Sequence, residues 1–397
     1  MMSTKICITS LEFPPDVGGV GESVCRIARM LTQSGYEVHV AVFNSKQARS
    51  AEGLLDPGCH TSIVEGIHVH RIHPYSHTGS LMIQDYLSQV HFHLKQLHHQ
   101  HQFSLFHGFF INETGFVTTL LAREIGIPVI NSIRGSDLHR HVFDPKQFGS
   151  ILWVLENSDW VTAVSRDLLK RAQTLVPSIR RHSTAFWNSI APIDFAALPT
   201  PELVQQLRGP VIGSLGRFRQ KKGLEFLLDA CASLRQEWDF TLLLVGDFAV
   251  QERDYWQNLI ETLGLRDRVV VTGFMERLQA LAYLPHMDIF TLPSLHDGCP
   301  NALLEAMLAG RAVVGTSSDA IGEILQHEHN GLVVPAGNSV ALTWCLGRLL
   351  RLPVLRQKLG TQARLRVLKD LAPAVEQQNW LQIYEEVLGS PRIRHIA

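Results

Sequence analysis

The stretch that decides the fold is Met287 to Glu305, MDIFTLPSLHDGCPNALLE. Its first eight residues form a short apolar run of strand length, and a loop then leads into the start of a helix. Pro300 suits the first helical turn, where a missing N–H costs nothing, so Asn301, Ala302, Leu303 and Leu304 are left with amides that no internal carbonyl can reach. Such amides form an anion site. Asp297 and Glu305 stand eight positions apart at either end of this helix start, with Gly298 in the loop between them. Carboxylates cannot themselves bind phosphate, so the partners expected for them are hydroxyl groups beside it, as on a ribose and a hexose. A sugar nucleotide carries both chemistries. An ordinary strand-loop-helix junction would read the same way, so the segment has to be weighed with its companions.

Upstream, VIGSLGRFRQKKGLEFLLDA (211–230) reads as a buried strand, a glycine turn and an amphipathic helix, with Arg217 and Lys222 on the connection. Two cations there can face a phosphate pair. Unit charges about 4 Å apart at an effective dielectric of about 20 interact by about 4 kcal/mol, a useful share of what a departing diphosphate needs. Arg219 and Lys221 share the loop, so a merely solvated basic turn is the other reading. FTLLLVGD (240–247) and RVVVTGF (268–274) repeat the pattern of a strand ending at a glycine, the second at Gly273 followed by Phe274. Strands of this kind place ligands at their carboxyl ends.

At 397 residues the chain exceeds the size at which one hydrophobic core stops growing, about 250 to 300, so two domains are expected. Apolar runs alternate with amphipathic stretches throughout, which is the βαβ pattern of parallel sheets. A proline-rich segment without periodicity, 191–208, reads as the linker between domains 1–190 and 209–372, and a last helix is expected over 373–390. Charges nearly cancel, 36 basic against 37 acidic, so no global field argues for nucleic acid. The six cysteines have no short pairing, which argues against a disulfide or zinc framework and for a reducing, cytoplasmic setting. The first strand, KICITS from Lys5, starts too early for a signal peptide, and no apolar run reaches the roughly 18 residues of a membrane span. No G-x-G-x-x-G follows that strand, which disfavours a dinucleotide-binding dehydrogenase.

The chain resembles the retaining glycosyltransferases of family 4 (glycosyl transferases group 1). The specific part is the second half, where GRFRQKKG, LLLVGD, VVVTGF, DIFTLPS, DGCPNALLEAMLAGRAVVGT and HNGLVVP follow in the family's order and spacing. In the first half FPPDVGGVGESVCRIARMLTQSGYEVHVAVF (13–43) is similar to the family's opening strand, glycine loop and helix, and SDWVTAVS (158–165) to a late strand. The resemblance implies an α/β GT-B fold, two Rossmann-like doubly wound domains facing across a cleft, the first for the acceptor and the second for the nucleotide sugar. It implies a final helix that crosses back to the first domain. It also implies transfer of a hexosyl unit from a nucleoside diphosphate sugar, UDP-sugars among them, to an acceptor hydroxyl with retention, in polysaccharide or glycolipid synthesis. Neither a metal nor another cofactor is implied for that chemistry. Arg217 and Lys222 would stabilise the diphosphate, Glu305 would hold the ribose and Asp297 would position the hexose. Gly18 and Gly19 would lie beside the diphosphate, with Gly273 and Phe274 near the base and Gly298, Asn301, Ala302 and Leu303 around the donor. A GT-B epimerase or phosphorylase, or a non-catalytic sugar-nucleotide binder, shares these features.

Two positions depart from the family. Its carboxylate pair is usually two glutamates, and Asp297 is shorter by one bond of about 1.5 Å, which points to a different donor or a weakened site. Where many members have histidine before Gly-Ser/Thr-Asp, SIRGSDLHR (132–140) has Arg134, which cannot act as a base and favours an anionic neighbour. Asp137 would orient an acceptor hydroxyl or cap a helix. His107, at a strand end, is a candidate for acceptor contact or a core histidine.

Eleven of the twenty histidines fall between His60 and His107, including HFHLKQLHHQH (91–101). On a helix no two of that run stand four apart with a carboxylate nearby, so an exposed polar face is expected rather than a metal site. The basic stretch 165–182, with Arg166, Lys170 and Arg171 around a leucine pair, reads as a solvated face. Some family members reach lipid-linked acceptors by docking on anionic membranes, so peripheral contact at the inner face of the membrane is the other expectation for it.

Overall fold

The computed structural model describes residues 3–16, 18–43, 49–50, 53–54, 58–74 and 83–389. The chain forms two compact units, Met1–Trp187 with Glu376–Ala397, and Asn188–Val375.

In unit 1 the strands are β1 (Lys5–Ser10), β2 (Glu37–Phe43), β3 (Arg49–Ser50), β4 (Gly53–Leu54), β5 (Gly58–Val64), β6 (Ile67–His73), β7 (Leu105–Phe109), β8 (Val129–Ile133), β9 (Trp160–Ala163) and β10 (Ser183–Ala185). Eight of them form one sheet in the order β10-β9-β8-β7-β1-β2-β6-β5, and β3 with β4 makes a separate ribbon. Pairing is parallel except for the β5–β6 hairpin at one edge. Helices α1 (Gly19–Gln33), α2 (Ile83–His101), α3 (Glu113–Ile125), α4 (Ser136–His139), α5 (Pro145–Glu156) and α6 (Arg166–Leu175) connect the strands. Strands covered on both sides read as nearly continuous apolar runs, as in β1, where Ile6 and Ile8 are fully buried. In α1 the apolar face is Val24, Ile27, Ala28 and Leu31, the spacing of one helical stripe, and all four are buried.

Unit 2 has β11 (Val211–Leu215), β12 (Thr241–Val245), β13 (Val269–Val271), β14 (Ile289–Leu292), β15 (Ala312–Thr316) and β16 (Leu332–Val334), all parallel in the order β13-β12-β11-β14-β15-β16. Its helices are α7 (Leu224–Leu234), α8 (Arg253–Thr262), α9 (Arg277–Leu281), α10 (Asn301–Leu308), α11 (Asp319–Ile324), α12 (Ser339–Arg351) and α13 (Pro353–Asp370). Leu227, Leu228 and Cys231 of α7 and Leu346 and Leu349 of α12 pack with Leu242 and Leu244 in its core.

The final helix, α14 (Pro373–Gly389), starts in unit 2 and joins unit 1 from Glu376 onward. There Trp380, Ile383 and Tyr384 enter the core of Ile6, Val38 and Phe109. Arg26 of α1 fixes the helix by donating from Nε to Glu376 Oε2 at 2.8 Å. The first unit ends at Trp187, three residues before the boundary read from the sequence, and the segment 191–208 expected as a linker belongs to unit 2. Among the described residues no helix is long and apolar enough to cross a membrane.

Candidate functional site

In unit 2, β11 lies between β12 and β14, so the chain order reverses at the β11–β14 pair. A crevice at the carboxyl ends of two such strands is where open parallel sheets receive ligands. The loop after β11 carries Arg217 and Lys222, and the loop after β14 carries Asp297 and Gly298 and leads into α10, which carries Glu305. Backbone contacts weld the two loops. Leu295 N–H donates to the Lys221 carbonyl at 2.9 Å. Gly223 adopts φ 66°, and a Cβ there would stand 2.0 Å from the Pro293 oxygen, so only glycine permits this approach.

The result is an ion pair, with Lys222 Nζ 2.5 Å from Asp297 Oδ2. The two side chains retain 20% and 15% of their exposure, enough to be reached from solvent. Burial alone would raise the Asp297 pKa, but Lys222 and then Lys221 outweigh it and hold the carboxyl below the usual aspartate range. Lys221 is shifted downward by burial, with Asp297 pulling the other way. The Asp297 amide donates to Asp319 Oδ2 at 2.9 Å, and Asp319 has the unusual φ of 43°.

A second pair was not read from the sequence. Glu305, nearly buried on α10, accepts at Oε1 from Arg277 Nε and Nη2 at 3.1 and 2.7 Å. Arg277 starts α9, just beyond Gly273 and Phe274, and is 47% exposed. The sequence offered no signal for it beyond a cation after a strand-end glycine. The two carboxylates therefore hold cations, where the sequence reading gave them hydroxyl partners.

Pro300 is the residue before α10, with φ −75° and ψ 121°, and not its first helical residue. Leu303 is corrected as a donor: its amide donates to the Pro300 carbonyl at 3.1 Å and its side chain is fully buried. Asn301 and Ala302, at the first two helical positions, have amides with no intrahelical acceptor. Gly298 is buried in the loop before them. Asn188, another residue missed by the sequence reading, donates from Nδ2 to the Cys299 carbonyl at 3.2 Å and lies 3.4 Å from Asn301 Oδ1. Arg217 is exposed at the carboxyl end of β11 and makes no ion pair among the described residues. Gly273 has φ 78°, and Phe274 is 72% exposed. Beside them an open cavity of about 610 Å³ is lined by Asp247, Phe248, Arg253, Thr272 and Gly273 among others.

In unit 1, Gly18 precedes α1 at the end of the loop after β1, and Gly19 is the first residue of α1. The loop ahead of them is held by Arg71 of β6, which donates to the Phe13 and Pro14 carbonyls at 3.2 and 2.7 Å and pairs with Asp16 at 3.1 Å. Arg71 is another residue the sequence reading does not single out, because three histidines share its strand, IHVHRIH.

His107 is fully enclosed, with Nδ1 2.6 Å from Tyr384 Oη and Nε2 2.7 Å from Ser132 Oγ. Both ring nitrogens are engaged, so it is a core histidine with none to offer an acceptor sugar. Burial pushes its pKa down to about 3. Asp137 is fully buried and accepts from the Arg134 and Gly135 amides at 3.1 and 2.7 Å, which makes it a brace for the loop after β8. Burial raises its pKa despite those bonds. Arg134 is half-buried with its guanidinium 5.2 Å from the Phe109 ring centre.

The histidine run 91–101 is corrected as well: of its histidines on α2 only His99 is exposed, while His91, His93, His98 and His101 are partly buried. His70 is fully buried and His73 nearly so, since β6 lies inside the sheet, and His77 lies outside the described residues.

A model described as Glycosyl transferases group 1 matches residues 209–351, and one described as Glycosyltransferase Family 4 matches 17–184. The chain belongs to this glycosyltransferase family. Within it, the chain is 25% identical over 393 residues to N-acetyl-alpha-D-glucosaminyl L-malate synthase of Bacillus anthracis, covering 98% of both proteins. The structure of sucrose-phosphate synthase from Thermosynechococcus elongatus superposes with a TM-score of 0.79 at 19% identity, over 98% of this chain and 100% of that one. Anabaena HepE in complex with UDP-glucose gives 0.71 at 18% identity, over 97% and 100%. Family 4 membership and these likenesses make the two units the Rossmann-like halves of a GT-B glycosyltransferase, an enzyme of glycan synthesis.

Proposed function

We propose that the chain transfers a hexosyl unit from a nucleoside diphosphate sugar to an acceptor hydroxyl with retention at the anomeric carbon. The observation that carries this reading is the Lys222–Asp297 pair at the strand-order reversal, next to the α10 amides of Asn301 and Ala302 that have no intrahelical acceptor. Lys222, Arg217 and the Asn301 and Ala302 amides stabilise the diphosphate as the bond from C1 to the phosphate oxygen breaks. The acceptor oxygen attacks C1 on the same face, and its proton passes to the departing phosphate oxygen. Asp297 is positioned to exchange its lysine for hydroxyls of the donor hexose while steering Lys222. Glu305 accepts from the ribose hydroxyls and is kept oriented by Arg277. Gly273 and Phe274 serve the base. The reaction draws its positive charge from these side chains, with no metal required for it. The relative that makes a glucosaminyl malate and the neighbour that binds UDP-glucose support a nucleotide-sugar donor and an acceptor that can be acidic. Arg134 fits an acidic acceptor, because a guanidinium recognises carboxylates in a fork geometry. The exposed cations Arg166, Lys170, Arg171, Arg180 and Arg181 of unit 1 suit an anionic membrane as the place where a lipid-linked acceptor is met. Flotation that is equal with neutral and anionic vesicles removes that contact.

The test is incubation with uridine, guanosine and adenosine diphosphate hexoses and an acceptor pool, followed by NMR of the product. One donor is expected to give a glycoside of the donor's own anomeric configuration. An inverted product refutes retention. Donor binding without any transfer makes the protein a sugar-nucleotide binder.

A further inference from the structure

Four histidines from three elements converge in unit 1: His39 on β2, His68 and His70 on β6, and His101 at the end of α2. Parallel pairing sets His39 beside His68, with His70 two residues further on the same face. His39 and His70 are fully buried, while His68 and His101 are partly open to solvent. One ring nitrogen from each of His39, His70 and His101 falls within 4.8 Å of the others. Neither His68 nor His101 has a hydrogen-bond partner among the described residues.

The surroundings fix the tautomer of His39. Glu37 Oε1 lies 3.1 Å from His39 Nε2 and 3.1 Å from Lys5 Nζ. Its carboxyl is held down at about 2, because His39 and Lys5 outweigh the effect of burial, so it is ionised and can only accept. His39 therefore donates from Nε2 and keeps a lone pair on Nδ1, which faces His70 Nε2 at 2.9 Å. On its other side His70 Nδ1 contacts Thr61 Oγ1 at 2.8 Å. A hydroxyl both donates and accepts, so Thr61 can accept from His70 Nδ1–H when an ion takes the place of the bond between His70 Nε2 and His39 Nδ1. When the proton is on Nδ1, two lone pairs meet near the open ring of His101.

We propose that His39, His70 and His101 form a binding site for a divalent transition metal of the zinc type, with Glu37 as the carboxylate that orients His39. Three imidazoles suit zinc, copper or nickel and are poor ligands for magnesium or calcium. A carboxylate accepting from the far side of a ligating ring is the usual support of such sites. Zinc–nitrogen bonds of about 2.0–2.1 Å put tetrahedral ligands about 3.3 Å apart. The His39 and His70 nitrogens must therefore part by a few tenths of an ångström, and the ion sits to the His101 side of the line between them. His68, stacked on His39 at 4.5 Å and 11°, closes one face. Glu37 and Lys5 lie at the amino ends of β2 and β1, so the site is at the opposite end of the strands from the carboxyl-end loops that carry Gly18 and Arg134. Its role is to clip the end of α2 onto β2 and β6, and it is independent of the transfer chemistry.

The experiment uses the full chain freed of any affinity tag and stripped with chelator, titrated with zinc chloride by calorimetry and thermal melting. One tight site per chain and a raised Tm are expected, with the visible absorption of tetrahedral cobalt on substitution. His101→Ala, a change at an exposed helix end, weakens zinc binding by about 100-fold while His99→Ala, on the exposed side of the same helix, leaves it unchanged. Equal binding by wild type and the folded His101→Ala protein overturns the site, as does only millimolar, multi-site association in the wild type.

Discussion

Each unit uses one cation to fix a loop at the carboxyl edge of its sheet, and the two differ in what that cation has left to give. In unit 1, Arg71 is committed to two backbone carbonyls and to buried Asp16. In unit 2, Lys222 is held by a single carboxylate, and both partners remain within reach of solvent. A charge satisfied by backbone braces the fold, whereas a charge satisfied by another side chain can change partners when an anion arrives. The interiors differ in the same sense. Unit 1 buries neutral His39, His70 and His107, while every histidine of unit 2 is at least partly exposed.

The largest effect expected from this contrast is on turnover. Lys222→Ala and Glu305→Ala each lower kcat/KM by about 100-fold or more with the fold retained by circular dichroism, the loss typical of removing one group that stabilises developing charge. Arg71→Ala should instead lower the melting temperature. If turnover is normal in either unit 2 variant, the exchangeable pair has no catalytic part.

Acid should separate the units next. His107 has a folded pKa depressed below the ordinary histidine value of about 6.5, so the unfolded chain binds more protons between the two values. Its stabilisation is fully present above about pH 6.5 and falls by about 1.4 kcal/mol for each pH unit below it. Asp297 is also depressed, but as a carboxylate its contribution is present above about pH 3.9 and is lost only as pH falls below that. Hydrogen exchange at pH 7 and pH 5 should show unit 1 loosening while unit 2 is unchanged. Equal loosening in both contradicts the difference in their interiors.

Smaller effects test how the unit 2 site is built. Gly223→Ala meets both a positive φ and the Pro293 oxygen, so it should destabilise unit 2 by about 1–3 kcal/mol in a urea melt and lower turnover with it. A neutral result would mean that the loops need not be welded. Arg277→Ala should raise the donor KM by about tenfold with kcat little changed, about 1.4 kcal/mol of lost orientation at Glu305. An unchanged KM would leave Arg277 a surface pair only.

Much of unit 2's site was legible because its chemistry lies in one contiguous segment and a glycine-marked loop. The spacing of Asp297, Pro300 and Glu305 and the Lys222-Gly223 step are local, and local patterns survive in sequence. What the sequence hid was pairing between distant segments. Arg277 reaches Glu305 across 28 positions and Asn188 reaches Cys299 across 111. His107 looked available at a strand end, yet Tyr384 of the last helix covers it. The histidines misled for the same reason. The run from His91 to His101 offers no ligand pair on one helix, whereas the cluster takes one member from it and draws the rest from two neighbouring strands.

The most direct test is the thermal shift of wild type and Lys222→Ala with nucleoside diphosphates. At about 100 times its dissociation constant the cognate diphosphate should stabilise the wild type by about 2.7 kcal/mol, and most of that gain should vanish in Lys222→Ala. If the variant is stabilised as much as the wild type, or if uridine, guanosine and adenosine diphosphates all leave the wild type unmoved, the diphosphate does not sit at the Lys222–Asp297 pair.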